Sequence, residues 1–418
     1  MINLSKKQLS KGTILITALI STHFLNFLFN VFLGRTLSFE EFGLITIVNT
    51  FWYISAIFFG ALALTVNRRV AYLRSKINPG AGANFMKHTS HNSLLITGII
   101  SALWIIASPT IGQIFKIGNI WVILLFAPAI LLGTLLSINK GYLQGGFSFF
   151  ALSSIIFFEG ASKLILAVAI TFINLKEWVF ISIPLSIVLS FLFSFYLISS
   201  KLPESLGAFS YRFPKKFFSI TLLAGFATLS FISFDVILAK LVLSPSSFGQ
   251  YSLLSITGKI IYFLGSLLSI FTISLVGRDL GKGLSPVKNF YKVFGLTFVL
   301  TMIGFICIGL YGNFFVPLLF GPKTQAILTY LPQYSAGIAL FTISSSILAF
   351  HLAQEHYIFP IIAIITAILM STWIALFSRS IFDITHVIFY TSLISFFAVV
   401  SLHVMEKVKV IRFKTSAI

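Results

Sequence analysis

Nearly unbroken apolar stretches recur twelve times along the chain, at about 12–33, 44–65, 94–115, 120–138, 150–172, 178–199, 218–241, 251–276, 293–314, 331–351, 359–377 and 385–404. Short segments carrying charge, proline and glycine separate them. Each stretch is close to the ~20 residues that a helix needs to cross hydrocarbon. The strict alternation that marks a membrane barrel strand does not occur in them. The pattern predicts an all-α, polytopic integral membrane protein with twelve transmembrane helices.

Composition excludes a soluble chain. Of 418 residues, 57% are hydrophobic and only 9% charged, with a mean hydropathy of +1.01; a water-soluble domain carries ~25% charged residues. Twelve spans of ~20 residues leave no room for a folded extramembrane domain. The one cysteine, Cys307, lies in an apolar run, which excludes a disulfide within the chain and a cysteine-ligated metal. The apolar run after Lys6, Lys7 and Lys11 is long enough to span and lacks a small-residue cleavage site, so the first helix is expected to stay in the membrane.

Charge then orients the spans. Alternating the connections places the N-terminus, 66–93, 139–149, 200–217, 277–292, 352–358 and the C-terminal tail on one side, and most of the 29 Lys and Arg go with them. The other side holds Arg35, Lys116, Lys176, Lys240, Lys323 and Arg379. By the positive-inside rule the basic side is cytoplasmic, with both termini on it, and the expected location is the cytoplasmic membrane. The net charge of +19 is spread over short loops beside helix ends, where it meets anionic lipid headgroups; it points to membrane lipid and not to nucleic acid.

The chain also repeats itself. Asn30-Val31-Phe32-Leu33, followed by Ser38-Phe39-Glu40-Glu41-Phe42-Gly43, returns about half a chain later as Asp235-Val236-Ile237-Leu238 and Ser244-Pro245-Ser246-Ser247-Phe248-Gly249. A weaker echo joins Tyr142-Leu143-Gln144 to His351-Leu352-Ala353. Six spans separate the copies, so the halves share one orientation, as in transporters built from two parallel bundles. Two pseudo-symmetric six-helix lobes are expected, 1–205 and 206–418.

The first hairpin, Gly34-Arg35-Thr36-Leu37-Ser38-Phe39-Glu40-Glu41-Phe42-Gly43, with Asn67-Arg68-Arg69 after the second span, resembles the opening of polysaccharide-biosynthesis flippases. So does Gly141-Tyr142-Leu143-Gln144-Gly145 after the fourth. These belong to the multidrug/oligosaccharidyl-lipid/polysaccharide (MOP) superfamily, and the resemblance is nearest to its polysaccharide-transporter or O-antigen flippase (Wzx-like) branch. It implies a two-lobed, MATE-like bundle that carries an isoprenoid-pyrophosphate-linked oligosaccharide to the outer leaflet by alternating access.

Ionisable groups deep in a bilayer are functional candidates by default. Asp235 and Lys259 lie at one depth in neighbouring spans, where an interhelical ion pair or a site for an anionic headgroup is expected. Asn30 and Tyr53 hold the same depth in the first half. Glu159 and Lys163 are i,i+4 in the fifth span and are expected either to neutralise each other or to face a cavity. His23, Asn26 and Asn30 form a polar stripe in the first span, with Asn49 and Tyr53 an edge in the second; interhelical bonds and a sugar path are the alternatives. Arg69 and Arg278 stand where they would either snorkel into headgroups or capture a pyrophosphate. His351 and His356, beside Glu355, are residue types that bind metal, but i,i+5 spacing turns them off a common helical face, and no metal or cofactor is expected.

No GxxxxGK[ST] phosphate loop occurs, which leaves membrane potential, an ion gradient or product consumption as energy source. An inside-negative potential favours outward movement of anions by ~2.3 kcal/mol per charge per 100 mV. Asp235 and Glu159 are candidates for proton or sodium coupling. The alternatives are a multidrug or organic-cation exporter, which favours an acidic or aromatic cavity, and a membrane glycosyltransferase or O-antigen ligase. The short outer loops bear only Glu40, Glu41, Glu177 and Asp383 as acids, scattered among hairpins, so an enzyme is not expected.

Overall fold

The structure is a computed structural model and describes residues 6–199, 212–266, 285–354 and 358–415, together with 272, 276 and 356. Helices α1 (Lys6–Thr36), α2 (Phe39–Lys76), α3 (Pro79–Ile114), α4 (Trp121–Leu124), α5 (Ala127–Gly145), α6 (Phe149–Phe172) and α7 (Ser182–Ser199) form the first half. Helix α8 (Lys215–Val242) leads to α9 (Pro245–Ser266), α10 (Val287–Gly304), α11 (Gly312–Phe320), α12 (Leu331–Ala353), α13 (Ile358–Phe377) and α14 (Ile381–Thr415). Every expected apolar stretch falls on helical structure; the fourth is divided between α4 and α5, the sixth begins in a 3-10 turn before α7, the ninth runs from α10 through a π-helical turn into α11, and the end of the eighth lies largely outside the described residues. No strand occurs among the described residues, and ten of their helical segments are long and apolar enough to cross a bilayer. Helices α8 and α9, which carry Asp235, Lys240 and Lys259, are not among those ten.

The chain divides into two compact units, Met1–Gly225 and Phe226–Ile418, and the division falls inside α8. The boundary expected at 205/206 lies outside the described residues.

Along α3 large apolar side chains face outward and small or hydroxyl-bearing ones inward, the arrangement for a lipid solvent. Helix α3 exposes Leu95, Ile96, Ile99, Leu103 and Ile106, whereas it buries Thr97, Ser101, Ser108 and Gly112. Ser101 Oγ donates to the Ala127 carbonyl at 3.0 Å and Trp104 Nε1 to that of Ile123 at 2.8 Å. Asn139 Nδ2 of α5 donates to Ser194 Oγ of α7 at 2.9 Å. With no hydrophobic force between helices in lipid, such bonds and close packing hold the bundle.

Segment 66–93, expected as a connection, is almost entirely helix. At 1.5 Å per residue the 38 residues of α2 extend about 57 Å, well beyond a ~30 Å hydrocarbon layer. Asn78 Oδ1 accepts from Ala81 N at 2.8 Å to cap α3, with Pro79 in its first turn. Hydropathy marks where lipid ends, and the backbone ladder of α2 continues past that point through Arg68, Arg69 and Arg74.

Glycine sets the approach of α5 to α2. A Cβ on Gly141 would lie 2.5 Å from the Ala63 carbonyl oxygen, and one on Gly145 would lie 2.5 Å from that of Asn67. This four-residue spacing of small residues is the close-contact device of membrane helices. We expect Gly141→Ala to cost about 1–3 kcal/mol by forcing the helices apart, read as a lower unfolding temperature in detergent. Gly98→Ala, where a Cβ meets nothing within 4 Å, should leave it unchanged or raise it.

The repeat is visible at the hairpins. Ser38 caps α2 in a reciprocal box: its Oγ accepts from Glu41 N at 3.3 Å and its N donates to Glu41 Oε2 at 2.7 Å. Ser244 holds the corresponding place before α9 and its Oγ accepts from Ser247 N at 3.3 Å, the box being lost because Ser247 stands where the first copy has Glu41. Phe42 and Phe248, one in each copy, are both buried.

Candidate functional site

In the first unit a cavity of about 130 Å³ opens among α1, α2, α5, α6 and α7. Asn26, Trp52, Tyr53, Lys140, Glu159 and Lys163 supply its polar and aromatic lining. Helix α1 packs closely on α6 beside it: Thr22 Oγ1 donates to the Ile156 carbonyl, and a Cβ on Gly160 would meet the Thr22 methyl at 3.0 Å.

The charges in this cavity are paired differently from the i,i+4 expectation. Glu159 accepts from Lys140 of α5 in a half-buried ion pair, not from Lys163 one turn further on. The Lys163 ammonium donates to Asn26 Oδ1 of α1 and sits 4.5 Å from the centre of the Phe29 ring. Two lysines and one carboxylate give the cavity a net positive charge; Glu159 closes on Lys140 and acts on Lys163 only through space. The sequence places Lys140 in the connection 139–149, yet α5 continues to Gly145 and holds it in the wall of the cavity. A helical reading through Asn139-Lys140-Gly141 would have found it.

Of the two polar edges expected along α1 and α2, only Asn26 and Tyr53 line the cavity. His23 is exposed and Asn30 half-buried, neither among the lining residues. Asn49 is buried, and its Oδ1 has no hydrogen-bond partner. Arg69 is half-buried with its guanidinium 5.5 Å from the centre of the Tyr72 ring, and its buried Nε has no hydrogen-bond partner. Arg278 lies outside the described residues.

In the second unit Lys259 and Asp235 form the expected interhelical ion pair, Nζ to Oδ1 at 3.0 Å. Tyr251 Oη donates to Asp235 Oδ2 at 2.7 Å, Tyr334 Oη at 3.2 Å and Ser255 Oγ at 3.3 Å. Asp235 is 2% exposed, and Tyr251, Ser255 and Tyr334 are fully buried. Four donors on one carboxylate offset the cost of taking its charge out of water. Gly258 admits the Tyr334 ring into van der Waals contact with the α9 backbone. The arrangement ties α8, α9 and α12 together.

Removing one member of such a pair strands the other. Lys259→Met should lower stability by about 3–5 kcal/mol, measured by thermal unfolding in detergent. The double change Asp235→Asn with Lys259→Met should recover most of that loss. Equal losses for the single and double variants would show that the ion pair itself carries the stability.

No protein-family model matches the chain, and no curated protein does. Solved structures do share its fold. An inward-facing multidrug resistance MATE family transporter of the MOP superfamily aligns with TM-score 0.70 at 11% identity, over 92% of this chain and 96% of that one. The lipid II flippase MurJ, in an inward closed conformation, aligns with TM-score 0.72 at 15% identity, over 93% and 86%. A MOP superfamily transporter from Pyrococcus furiosus, described as having a binding pocket of reversed polarity, aligns with TM-score 0.60 at 14% identity, over 94% and 95%. The fold is therefore the all-helical, membrane-spanning MATE and MurJ type.

Proposed function

We propose that this protein is a MOP-type flippase that moves an isoprenoid-pyrophosphate-linked oligosaccharide across the cytoplasmic membrane, with both termini in the cytoplasm. The observation that carries the reading is the charge of the first-unit cavity. Lys163 is held there by a neutral amide and an aromatic face, so it can turn to an entering anion without breaking an ion pair. At about 130 Å³ the cavity is smaller than the ~300–1,000 Å³ of sites that enclose a drug-sized molecule. It suits a phosphate-sized headgroup whose sugar and lipid chains extend elsewhere.

In this reading Lys163 binds the pyrophosphate, the Lys140 and Glu159 pair positions it, and Asn26, Trp52 and Tyr53 face the first sugar. Asn30, Asn49 and His23 belong to the surrounding polar edge, and Arg69 takes the headgroup at entry. Asp235 and Lys259 hold the second unit together, and Asp235 is the candidate for proton or sodium coupling there. The fold serves multidrug export equally well, since MATE transporters share it. A net positive cavity repels an organic cation and attracts a diphosphate. Transport of a bound anion needs no reacting group, and the solved structures that share the fold are described as transporters or a flippase.

The test is leaflet-to-leaflet movement of a fluorescent isoprenoid-pyrophosphate oligosaccharide in proteoliposomes, with and without an imposed potential. Lys163→Met should slow it about tenfold, the equivalent of one lost charge-assisted contact of ~1.5 kcal/mol, in a protein that remains folded. Export of an organic cation by the same vesicles, with no movement of the lipid-linked sugar, would overturn the reading in favour of the exporter.

A further inference from the structure

The second unit contains a cluster of ligand-type side chains outside the cavity proposed for transport. Helix α12 ends at Ala353 and the chain turns back at once: Gln354 N and His356 N both donate to the His351 carbonyl, at 3.1 and 2.9 Å. Helical spacing therefore does not apply between His351 and His356, and the two rings lie nearly parallel with centres 5.6 Å apart. Glu406 reaches the same point from α14.

The atoms form a near-equilateral triangle. His351 Nδ1 is 3.4 Å from His356 Nδ1, and Glu406 Oε2 is 3.1 Å from the first and 3.2 Å from the second. A tetrahedral ion with bonds of ~2.0–2.1 Å holds its ligands ~3.3–3.4 Å apart, so an ion seats on this triangle with little movement. His351 Nε2 lies 2.8 Å from His403 Nδ1, and His403 Nε2 lies 2.9 Å from Tyr291 Oη. That chain orients the His351 ring and its tautomer from behind, the usual outer support of a metal-bound imidazole. The Phe359 ring, with its centre 3.6 Å from that of His351 and 5° from parallel, fixes the ring's plane.

We propose that His351, His356 and Glu406 bind one divalent transition-metal ion of the zinc class, with the fourth position open to water. Two imidazoles and one carboxylate suit zinc or cobalt, whereas magnesium and calcium take oxygen ligands. The open position lies on the accessible side, where His356 is 47% and Glu406 34% exposed, while His351 is buried. The bound ion clasps the end of α12 and the segment after it to α14.

The experiment is titration of the full chain, purified in detergent without an oligohistidine tag, with cobalt chloride and then with zinc chloride. One cobalt per chain should bind with the visible absorption of a four-coordinate ion, and zinc should displace it. His356→Ala and Glu406→Gln should abolish that spectrum. His403→Leu, which removes only the outer support, should weaken binding by about 10–100-fold. His91→Ala, an exposed histidine on α3, should leave binding unchanged. Absence of saturable binding, or binding that survives both His356→Ala and Glu406→Gln in folded protein, would overturn the site.

Discussion

A charged or hydrogen-bonding group surrounded by hydrocarbon has no water to turn to, so it must find its partner inside the protein or lose several kcal/mol. The rest of this structure depends on that constraint. It makes the backbone helical, since a helix satisfies its own amides. It seats most serine and threonine hydroxyls on a carbonyl one turn back in their own helix, as Thr46 on Phe42, and sends others across to a neighbouring element, as Ser101 to Ala127 and Asn139 to Ser194. It also gathers the buried charges into clusters: Asp235 draws four donors from α9 and α12, and Lys140 closes on Glu159.

The two halves begin from one plan and place their polar chemistry differently. Ser38 and Ser244 start corresponding helices, and Phe42 and Phe248 fill corresponding places behind them. Asn30 and Tyr53 are then answered by Asp235 and Lys259, an uncharged pair by an ion pair. The first half sets Lys140, Glu159 and Lys163 around an open cavity, whereas the second buries Asp235 and Lys259 as an ion pair. A duplicated frame constrains helix order and packing, and leaves the polar residues free to diverge in role.

Most of the frame was legible because hydrophobicity in lipid is a property of each stretch alone. What escaped lay at helix ends. The extension of α2 through Arg68, Arg69 and Arg74 and the place of Lys140 in α5 are hidden in a hydropathy pattern because charge ends only the lipid-facing part of a helix, not its backbone ladder. The meeting of His351 and His356 is hidden for the opposite reason: i,i+5 spacing separates them only on a continuous helix, and the chain turns after Ala353.

The twelve apolar stretches, the basic bias of one set of connections, the repeat and the depth of Asp235 beside Lys259 are written in the sequence, since each depends on residue type and on spacing along one helix. Partner choice is different. That Glu159 takes Lys140 rather than Lys163, that Lys163 turns to Asn26, that Tyr334 joins Asp235, and that Glu406 meets two histidines were decided by which helices pack together. Side chains remote in sequence meet only when tertiary packing closes the distance between their helices.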